Sequence, residues 1–419
     1  MKRSMTTKIN YNDWSKEELI KHIEKLENGI NGTTTVVSEK LEQPKKKLKE
    51  VKPFNWDKFN FRFVAIKFAY LGWNYNGLAL QLEKTPLPTV EEIILKAMTK
   101  VKLIKDPIDE VTYSKCGRTD KGVSALNQVI SINLRSNLTP EEQMKPENDI
   151  KELDYISILN ANLPEDIRIH EICLRPPKDF DARFSCEYRH YKYFFKKNDL
   201  DIDLMQKGAD SYLGVHDFRN FCKLDGSKQL TNFTREIFKS EIVHLIDDYY
   251  YFNLQGNAFL WHQVRCMIGI LLLVGQKLES PEIVSDLMNI DKFSTKPVYE
   301  MANDIPLVLY DCIFPEMEWL QAKDLHKNNY LIKRFIGFEY DLQIKSKMSE
   351  VMEEMLLSKY KLHEDDTKYM NVGDGVGRRF KDYIPLEKRD RSDSYEVINA
   401  RWLKKKESSR NKESTIIEI

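Results

Sequence analysis

The sequence has no long apolar run, no net charge and no apolar leader. Its longest apolar stretch, residues 266–274, is far shorter than the ~20 residues that a membrane-spanning helix needs. The N-terminus is polar and lacks the apolar centre of a signal peptide. Because 65 Lys and Arg balance 65 Asp and Glu, the net charge gives no sign of a polyanionic partner. We therefore expect a soluble, intracellular protein.

Paired cysteine motifs and glycine-rich turns are also missing. The six cysteines include no Cys-x-x-Cys pair and no neighbouring histidine pair, which argues against a zinc ribbon or a disulfide framework. Isolated buried thiols in a reducing compartment, and no metal site, are the expectation. No Gly-rich turn joins a strand to a helix, which argues against a dinucleotide fold. We expect no cofactor.

Composition divides the chain into three regions. Residues 1–55 are polar and partly disordered, with a short helix predicted after the capping pattern of Ser15 and Glu18. The basic cluster at 45–49 is typical of an import signal, a nucleic-acid-binding arm or a solvated linker. Residues 56–316 have a globular, mixed α+β pattern, and residues 317–419 are a more polar extension.

Residue periodicity predicts the main elements of secondary structure. Strands are predicted at 61–68, 129–134, 155–159 and 188–195, a hairpin at 236–246 and 249–254, and helices at 89–101, 258–276 and 347–357. Residues 373–379 read as a loop, and the tail from about residue 404 as disordered.

The first candidate site is the polar segment 117–122, which two glycines enclose. Asp120 followed by Lys121 and Gly122 is common turn chemistry, so an ordinary surface turn is the simpler interpretation. The apolar segments on both sides instead favour a loop near the sheet, where basic neighbours such as Arg118 hold a carboxylate.

The second candidate site is the segment 183–193. On a strand, Tyr191 and Tyr193 share one face with Arg189 beside them. Aromatic rings next to cations suit an unpaired base and its phosphates. A core strand with one aromatic face explains the same spacing equally well.

The third candidate site is the predicted helix that follows Asn257. Arg265 lies one turn after Trp261 and one turn before Gly269 in an otherwise apolar stretch. A charge buried there needs a partner. That partner is a structural carboxylate or a catalytic one, and His262 alone is no evidence for either.

Taken together, the three stretches resemble the TruA family of tRNA pseudouridine synthases. The likeness is carried by residues 117–123, the Gly-Arg-Thr-Asp loop with its Gly-Val, and by 70–72, 159–164, 182–185 and 257–259. These motifs follow in order over about 60–316. Residues 68–77 and 220–225 look like the eukaryotic branch that modifies positions 38 and 39 of the tRNA anticodon arm.

The resemblance implies a fold and an activity. The expected fold is a mostly antiparallel sheet built from two related α+β halves, at about 56–180 and 181–316, with helices on one face and the active cleft between the halves. The expected reaction isomerises uridine to pseudouridine in tRNA. A catalytically silent tRNA-binding protein is the alternative, and a base-removing hydrolase a more distant one. Bacterial members are homodimers, which leaves the oligomeric state open; the expected location is nucleus and cytoplasm.

The resemblance also assigns roles to residues. Asp120 is the catalytic carboxylate, Arg265 its salt-bridge partner, and Tyr191 the ring that packs on the uracil. Contacts to RNA or substrate are expected from six further residues: Arg118, Lys121, Arg183, Arg189, Tyr193 and Asn257. These assignments predict that Asp120 is buried, ion-paired to Arg265 and facing Tyr191.

Overall fold

The computed structural model describes residues 15, 19–22, 54–81, 83–105, 113–360 and 368–417. The chain divides into two units, 1–54 and 55–419. In the first unit, Leu19 and the three residues after it are helical, and the Leu19 N–H donates to the Ser15 carbonyl at 3.0 Å. The rest of the predicted N-terminal helix and the basic cluster at 45–49 lie outside the described residues.

A large sheet forms the centre of the second unit. The strands of this sheet are β1 (Asn60–Tyr70), β2 (Tyr113–Lys115), β3 (Ser124–Ser136), β4 (Ile167–Cys173), β5 (Tyr188–Lys196), β6 (Gly214–Asp217), β7 (Thr234–Ile246), β8 (Tyr249–Gly256) and β9 (Leu307–Ile313). Their order is β4-β1-β3-β9-β5-β8-β7-β6, with β2 paired to β3. All these pairings are antiparallel except that of β3 with β9, which is parallel. The predicted mixed α+β class and mostly antiparallel sheet are confirmed.

Helices complete the fold. They are α1 (Val90–Lys100), α2 (Pro140–Gln143), α3 (Tyr155–Asn160), α4 (Ile202–Asp210), α5 (Gln263–Gly275), α6 (Ile283–Met288), α7 (Leu325–Lys359) and α8 (Tyr395–Ile417). A second, small sheet pairs β10 (Lys368–Met370) with β11 (Arg378–Phe380). The turn between β10 and β11 is the loop predicted at 373–379.

Local sequence rules account for several of these elements. Thr89 caps α1 by accepting the Glu92 N–H at 3.3 Å, which is the N-cap geometry that threonine favours. The predicted strands at 61–68, 129–134 and 188–195 lie within β1, β3 and β5. The predicted hairpin is β7–β8, and its turn places Asp247 at φ +49°, a conformation that aspartate tolerates better than most residues.

Three predicted elements differ from the structure. Residues 155–159 are helical, because Asp154 caps α3 by accepting the Ser157 N–H at 3.2 Å. The helix predicted from 258 begins at Gln263, since His262 has φ +63° and cannot continue a right-handed helix. The tail from 404, predicted to be disordered, continues α8 to Ile417.

Buried side chains form two hydrophobic cores. The first core comes mainly from β1–β4, α1 and α3, and the second mainly from β5, β8, α4, α5 and α6. Tyr191 packs against both. All six cysteines are buried free thiols. They are not all isolated as predicted, because Cys116, Cys186 and Cys312 lie close enough together to shift the pKa of one another's thiols.

Neither a membrane span nor a metal centre is found among the described residues. Within the ranges that the structure describes, no helix is both long and apolar enough to cross a bilayer. The same residues contain no group of three His, Cys, Asp or Glu side chains arranged to hold a metal ion.

Candidate active site

The loop 117–122 connects β2 to β3 and is held from several sides. The amide side chain of Gln128 pairs with both backbone groups of Gly117 at 3.3 Å. The Tyr70 hydroxyl lies 2.7 Å from the Thr119 hydroxyl, and the Leu78 N–H donates to the Thr119 carbonyl at 3.2 Å. These contacts fix the backbone directly before Asp120. Residues 120–123 then form a turn, in which the Val123 N–H donates to the Asp120 carbonyl at 3.2 Å and Lys121 is exposed. Both interpretations of this segment therefore hold in part, because the turn closes a loop that is bound to the sheet.

Two glycines allow neighbouring chain segments to approach this loop closely. Gly77 has φ +84°, and a Cβ there would lie 2.7 Å from the Thr119 carbonyl oxygen. Gly122 has φ +80°, and a Cβ there would lie 2.8 Å from Oδ1 of Asp304. Any larger residue would be strained and would push against its neighbour. Both glycines thus help to determine where Asp120 sits.

The carboxylate of Asp120 faces two side chains from the turn before α5. The indole Nε1 of Trp261 donates to Oδ1 at 3.3 Å, and Nε2 of His262 lies 3.3 Å from Oδ2. The Asp120 side chain is 27% exposed, so the prediction of a buried carboxylate is met only in part. The turn of 261–262 thus presents one polar atom to each carboxylate oxygen.

The surroundings of Asp120 have opposing effects on its ionisation. Burial raises its pKa, and the nearby charge of Asp304 adds to that rise. Arg265, the Trp261 hydrogen bond and Lys223 act in the opposite direction. The outcome is a carboxyl with a raised pKa, in which each of these cationic or hydrogen-bonding groups favours the ionised form.

His262 is neutral at physiological pH. Burial and the nearby cations Arg265, Lys223 and Lys296 lower its pKa to about 4. Its Nδ1 is buried and has no hydrogen-bond partner within the described residues. The tautomer with the proton on Nε2 therefore fits best, because it presents an N–H to the Asp120 carboxylate.

Among the contacts of the described residues, no ion pair joins Asp120 to Arg265, so this prediction is wrong. Nη1 of Arg265 lies 3.8 Å from Oδ2 of Asp304 instead, and its Nε donates to the Ala302 carbonyl at 2.8 Å. These two contacts direct the guanidinium towards residues 302–304. Arg265 therefore acts on Asp120 through its charge and not through a direct contact.

Tyr191 lies on β5 at the junction of the two cores, as part of the same neighbourhood. Its ring meets the edge of Phe259 at a centroid distance of 5.0 Å. Burial raises the pKa of its hydroxyl, and the charge of Asp120 is one further contribution to this rise. Asp120, Tyr191 and the charge of Arg265 thus lie in one neighbourhood, while the predicted facing of Asp120 and Tyr191 stays a prediction.

Three residues predicted to bind RNA or substrate are buried or form hydrogen bonds within the protein. Tyr193 is completely buried in the second core. The guanidinium of Arg189 donates to four backbone carbonyls, including those of Cys116 and Asn257 at 3.1 and 2.8 Å. The Asn257 side-chain oxygen accepts the Glu236 N–H at 3.3 Å. The ring of Tyr193 is therefore covered and polar atoms of Arg189 and Asn257 already have partners in the protein; contact of these residues with substrate stays a prediction.

Three other predicted binding residues are exposed cations. Arg118, Lys121 and Arg183 all present their side chains to solvent. The guanidinium of Arg183 lies 5.2 Å from the ring of Phe184, which is itself 77% exposed. These side chains are available to a polyanion.

The sequence analysis assigned no role to three residues at the site. Lys223 lies over the Trp261 ring, with Nζ 5.0 Å from its centroid, and so adds positive charge near Asp120. Trp261 and His262 were hidden in what looked like the first turn of an apolar helix. The one available signal was that both precede Arg265 by no more than a turn.

Comparisons with known proteins identify relatives of this chain. A family model described as tRNA pseudouridine synthase matches residues 209–315. The chain is 49% identical over 416 residues to the tRNA pseudouridine(38/39) synthase of Saccharomyces cerevisiae, covering 96% of this chain and 93% of that protein. It is 39% identical over 354 residues to the Homo sapiens protein of the same name, covering 76% and 71%. Similarity to tRNA pseudouridine synthase A of Methanosarcina mazei is 28% over 294 residues, covering 70% and 98%.

Proposed function

The chain belongs to the TruA family of tRNA pseudouridine synthases, and from that premise we propose that it isomerises uridine to pseudouridine at position 38, 39 or both of the tRNA anticodon arm, with Asp120 as the catalytic carboxylate. The 38/39 positions follow from the names of the yeast and human relatives. The observation that carries the assignment of Asp120 is its carboxylate, fixed in a clamped loop and facing Trp261 and His262.

The reaction needs an ionised carboxylate close to the ribose. The C1′–N1 bond of uridine breaks, the uracil turns, a C1′–C5 bond forms and the C5 proton moves to N1, so atoms and charge balance without a co-reactant. Asp120 begins this sequence by attacking C1′ or by taking the C2′ proton, and both routes require its ionised form. Arg265 and Trp261 favour that form against the effect of burial. The target base must also leave its stack to reach the site.

Tyr191 is the aromatic group in this proposal. Its ring lies on β5 against Phe259, which leaves it a fixed surface on which a uracil could pack. A detached uracil that packs on this fixed ring can rotate only in the plane parallel to the ring. We assign Tyr191 to packing on the uracil and to removal of the C5 proton, and because burial keeps its hydroxyl protonated, it passes its own proton on as it accepts this one.

RNA binding is assigned to the exposed cations around the loop. Arg118, Lys121 and Arg183 point into solvent, and the exposed ring of Phe184 beside Arg183 is suited to stacking on a base. Contacts of this kind release counterions, so the affinity for tRNA should fall as the salt concentration rises.

The two hydrophobic cores, with Tyr191 against both, support the expectation of two halves with the active cleft between them.

Removing the carboxylate tests the proposal. We expect Asp120→Asn and Asp120→Ala to abolish pseudouridine formation in tRNA carrying uridine at 38 and 39, while tRNA binding persists. Asp311→Asn is the matched control, because Asp311 is also a partly buried carboxyl whose pKa burial raises. Unchanged modification in the Asp120 variants would overturn the site assignment.

Two other outcomes separate the alternative functions. A parent protein that binds tRNA but forms no pseudouridine would be the catalytically silent binding protein. Release of free uracil would indicate a hydrolase instead. Chemical mapping of pseudouridine and chromatography of the reaction products distinguish all three.

Location and oligomeric state are further parts of the proposal. The basic cluster at 45–49 supports distribution between nucleus and cytoplasm, and imaging a fluorescent fusion with these lysines replaced by Ala tests it. Homodimer formation rests on the family resemblance alone, and light scattering after size-exclusion chromatography measures it.

A further inference from the structure

The turn after β10 contacts two parts of the candidate active site at once. The Val372 carbonyl accepts the Asn303 N–H at 2.7 Å. The next residue, Gly373, has φ +74°, and a Cβ there would lie 2.0 Å from the hydroxyl oxygen of Tyr193. Residues 371–374, here called the seating turn, are therefore packed against both segment 302–304 and β5.

The seating turn is itself anchored to α5 and to its own side chains. Gln276, which follows α5, donates to the Tyr369 carbonyl at 3.0 Å and accepts the Asn371 N–H at 2.7 Å. Asn371 in turn accepts the Gly373 N–H at 2.8 Å. Asp374 accepts two N–H groups of the following residues at 3.0 and 2.7 Å. These bonds fix the turn, so that it provides a firm surface.

Segment 302–304 connects the seating turn to Arg265 through hydrogen bonds and an ion pair. The Ala302 N–H donates to the Arg265 carbonyl at 3.1 Å, and the Ala302 carbonyl accepts from Arg265 Nε at 2.8 Å. The guanidinium also pairs with Asp304 at 3.8 Å. Arg265, which favours the ionised form of Asp120, is thus held by segment 302–304. The same segment contacts the seating turn.

Tyr193 shows how closely the turn is fitted. Its side chain is completely buried, and its hydroxyl has no hydrogen-bond partner among the described residues. Leaving a buried hydroxyl unsatisfied is unfavourable, so the arrangement persists only because surrounding contacts outweigh it. The charges of Arg265, Asp304 and Asp374 all act on this hydroxyl, which places the four groups in one neighbourhood.

We propose that the seating turn is a positioning element for catalysis, which holds Asn303, Asp304 and Tyr193 so that Arg265 stays at its working distance from Asp120. The turn lies in the C-terminal extension, outside the predicted catalytic domain at 56–316. This inference rests on the proposed function, because it takes Asp120 as the catalytic carboxylate. It gives part of the extension a role in the chemical step.

Two glycines of this turn region allow a matched test in the full-length protein with a tRNA transcript. Gly373→Ala inserts a methyl group against Tyr193, whereas Gly375, at φ +78°, has no neighbouring atom within 4 Å. Gly375→Ala therefore carries the same backbone strain without the contact. We expect Gly373→Ala to lower kcat about tenfold or more, because small displacements of catalytic groups are costly, with KM little changed. Gly375→Ala should keep the parent kcat.

The pH profile separates a positioning role from general damage. Arg265 lowers the pKa of Asp120, so its displacement in Gly373→Ala should move the acid limb of the kcat profile to higher pH. Asp304→Asn should move that limb to lower pH, because the charge that raises the pKa of Asp120 is removed. If Gly373→Ala does not fold, Asn371→Ala provides the test, because it removes the acceptor of the Gly373 N–H at 2.8 Å and so loosens the seating turn. An unmoved limb in both seating-turn variants would overturn the proposal.

A second substitution tests whether the Tyr193 contact is the cause. In Gly373→Ala combined with Tyr193→Phe, the nearest atom that the new methyl meets is gone and the ring Cζ at 3.1 Å remains, so kcat should recover most of the way to that of Tyr193→Phe alone. No recovery, equal losses in Gly373→Ala and Gly375→Ala, or a change in KM alone would each refute the positioning role. If Asp120→Asn stays active, the proposed function fails; if it is inactive while the glycine variants are alike, only this inference fails.

Discussion

Trp261 donates its indole N–H to Asp120, with 3.3 Å between Nε1 and Oδ1. The indole is 43% exposed, so it covers one carboxylate oxygen and still faces solvent. A neutral donor at this place stabilises the negative charge without forming an ion pair. Arg265 is left to act from a distance, paired with Asp304.

Loss of this indole donor should change the pH dependence of the enzyme. Trp261→Phe keeps an aromatic ring but removes the N–H that lowers the pKa of Asp120. The pKa should rise further above its usual value, and the acid limb of kcat/KM should move to higher pH. Trp319→Phe is the control, since Trp319 packs beside Lys67 away from the loop. An unchanged acid limb in Trp261→Phe would show that the hydrogen bond is unimportant.

His262 should make the fold less stable in mild acid. Its pKa is about 4 in the folded protein against a usual value of 6.5, so between these values the unfolded chain binds a proton that the folded chain does not. The stability is complete above pH 6.5 and falls as pH decreases, by about 2 kcal/mol at pH 5. His262→Gln should remove this part of the loss.

Urea unfolding at about pH 7.5 and pH 5 measures the effect of His262. The free energy of unfolding should fall less in His262→Gln than in the parent protein. His326→Gln, at an exposed position on α7, should behave like the parent. The idea fails if the parent and His262→Gln lose the same stability between the two pH values.

Glu152 should be needed for the stability of the fold. Its side chain is fully buried and accepts from Arg62 Nη1 at 3.2 Å, from the Ser136 hydroxyl at 2.6 Å and from two backbone N–H groups. Glu152→Ala leaves Arg62 buried without this partner, which typically costs about 3–5 kcal/mol. Chemical denaturation should show the loss. Glu350→Ala, which breaks an exposed pair with Lys347, should cause no measurable change.

Gly77→Ala should impair catalysis more than folding. A methyl group at this position meets the Thr119 carbonyl at 2.7 Å and so displaces the loop that carries Asp120. We expect kcat to fall about tenfold to a hundredfold. Gly214→Ala is matched for backbone strain, with φ +95° but only an ordinary contact at 3.6 Å. Equal effects of the two variants on kcat would contradict a role for Gly77 in placing the loop.

Sequence rules succeeded where a local cause decides the structure. The cap at Thr89 and the alternation in β1 act within a few residues. The segment 155–159 was misread, because its apolar residues fit both strand and helix spacing, and the decisive contact is the cap from Asp154. Short apolar runs are ambiguous in this way.

The candidate site was predictable only where motifs mark it. The loop of Asp120, the ring of Tyr191 and the charge of Arg265 all lie in recognisable stretches. Asp304, the partner of Arg265, lies in no such stretch. It becomes the partner because residues 302–304 pack on α5. Such a choice between two carboxylates depends on tertiary distances, which residue patterns do not contain.

The place of β9 in the sheet has a consequence for the order of events during synthesis. β9 lies between β3 and β5 and pairs with β3 at Ser124 and Ala125, directly after the loop of Asp120. Until residues 307–313 have left the ribosome, β3 and β5 both have open edges, which invite pairing with other chains. β9 is therefore the last strand of this sheet to be made. Until then Asp120, on the loop before β3, and Tyr191, on β5, are not joined through the sheet, and open strand edges are exposed to pairing with other chains.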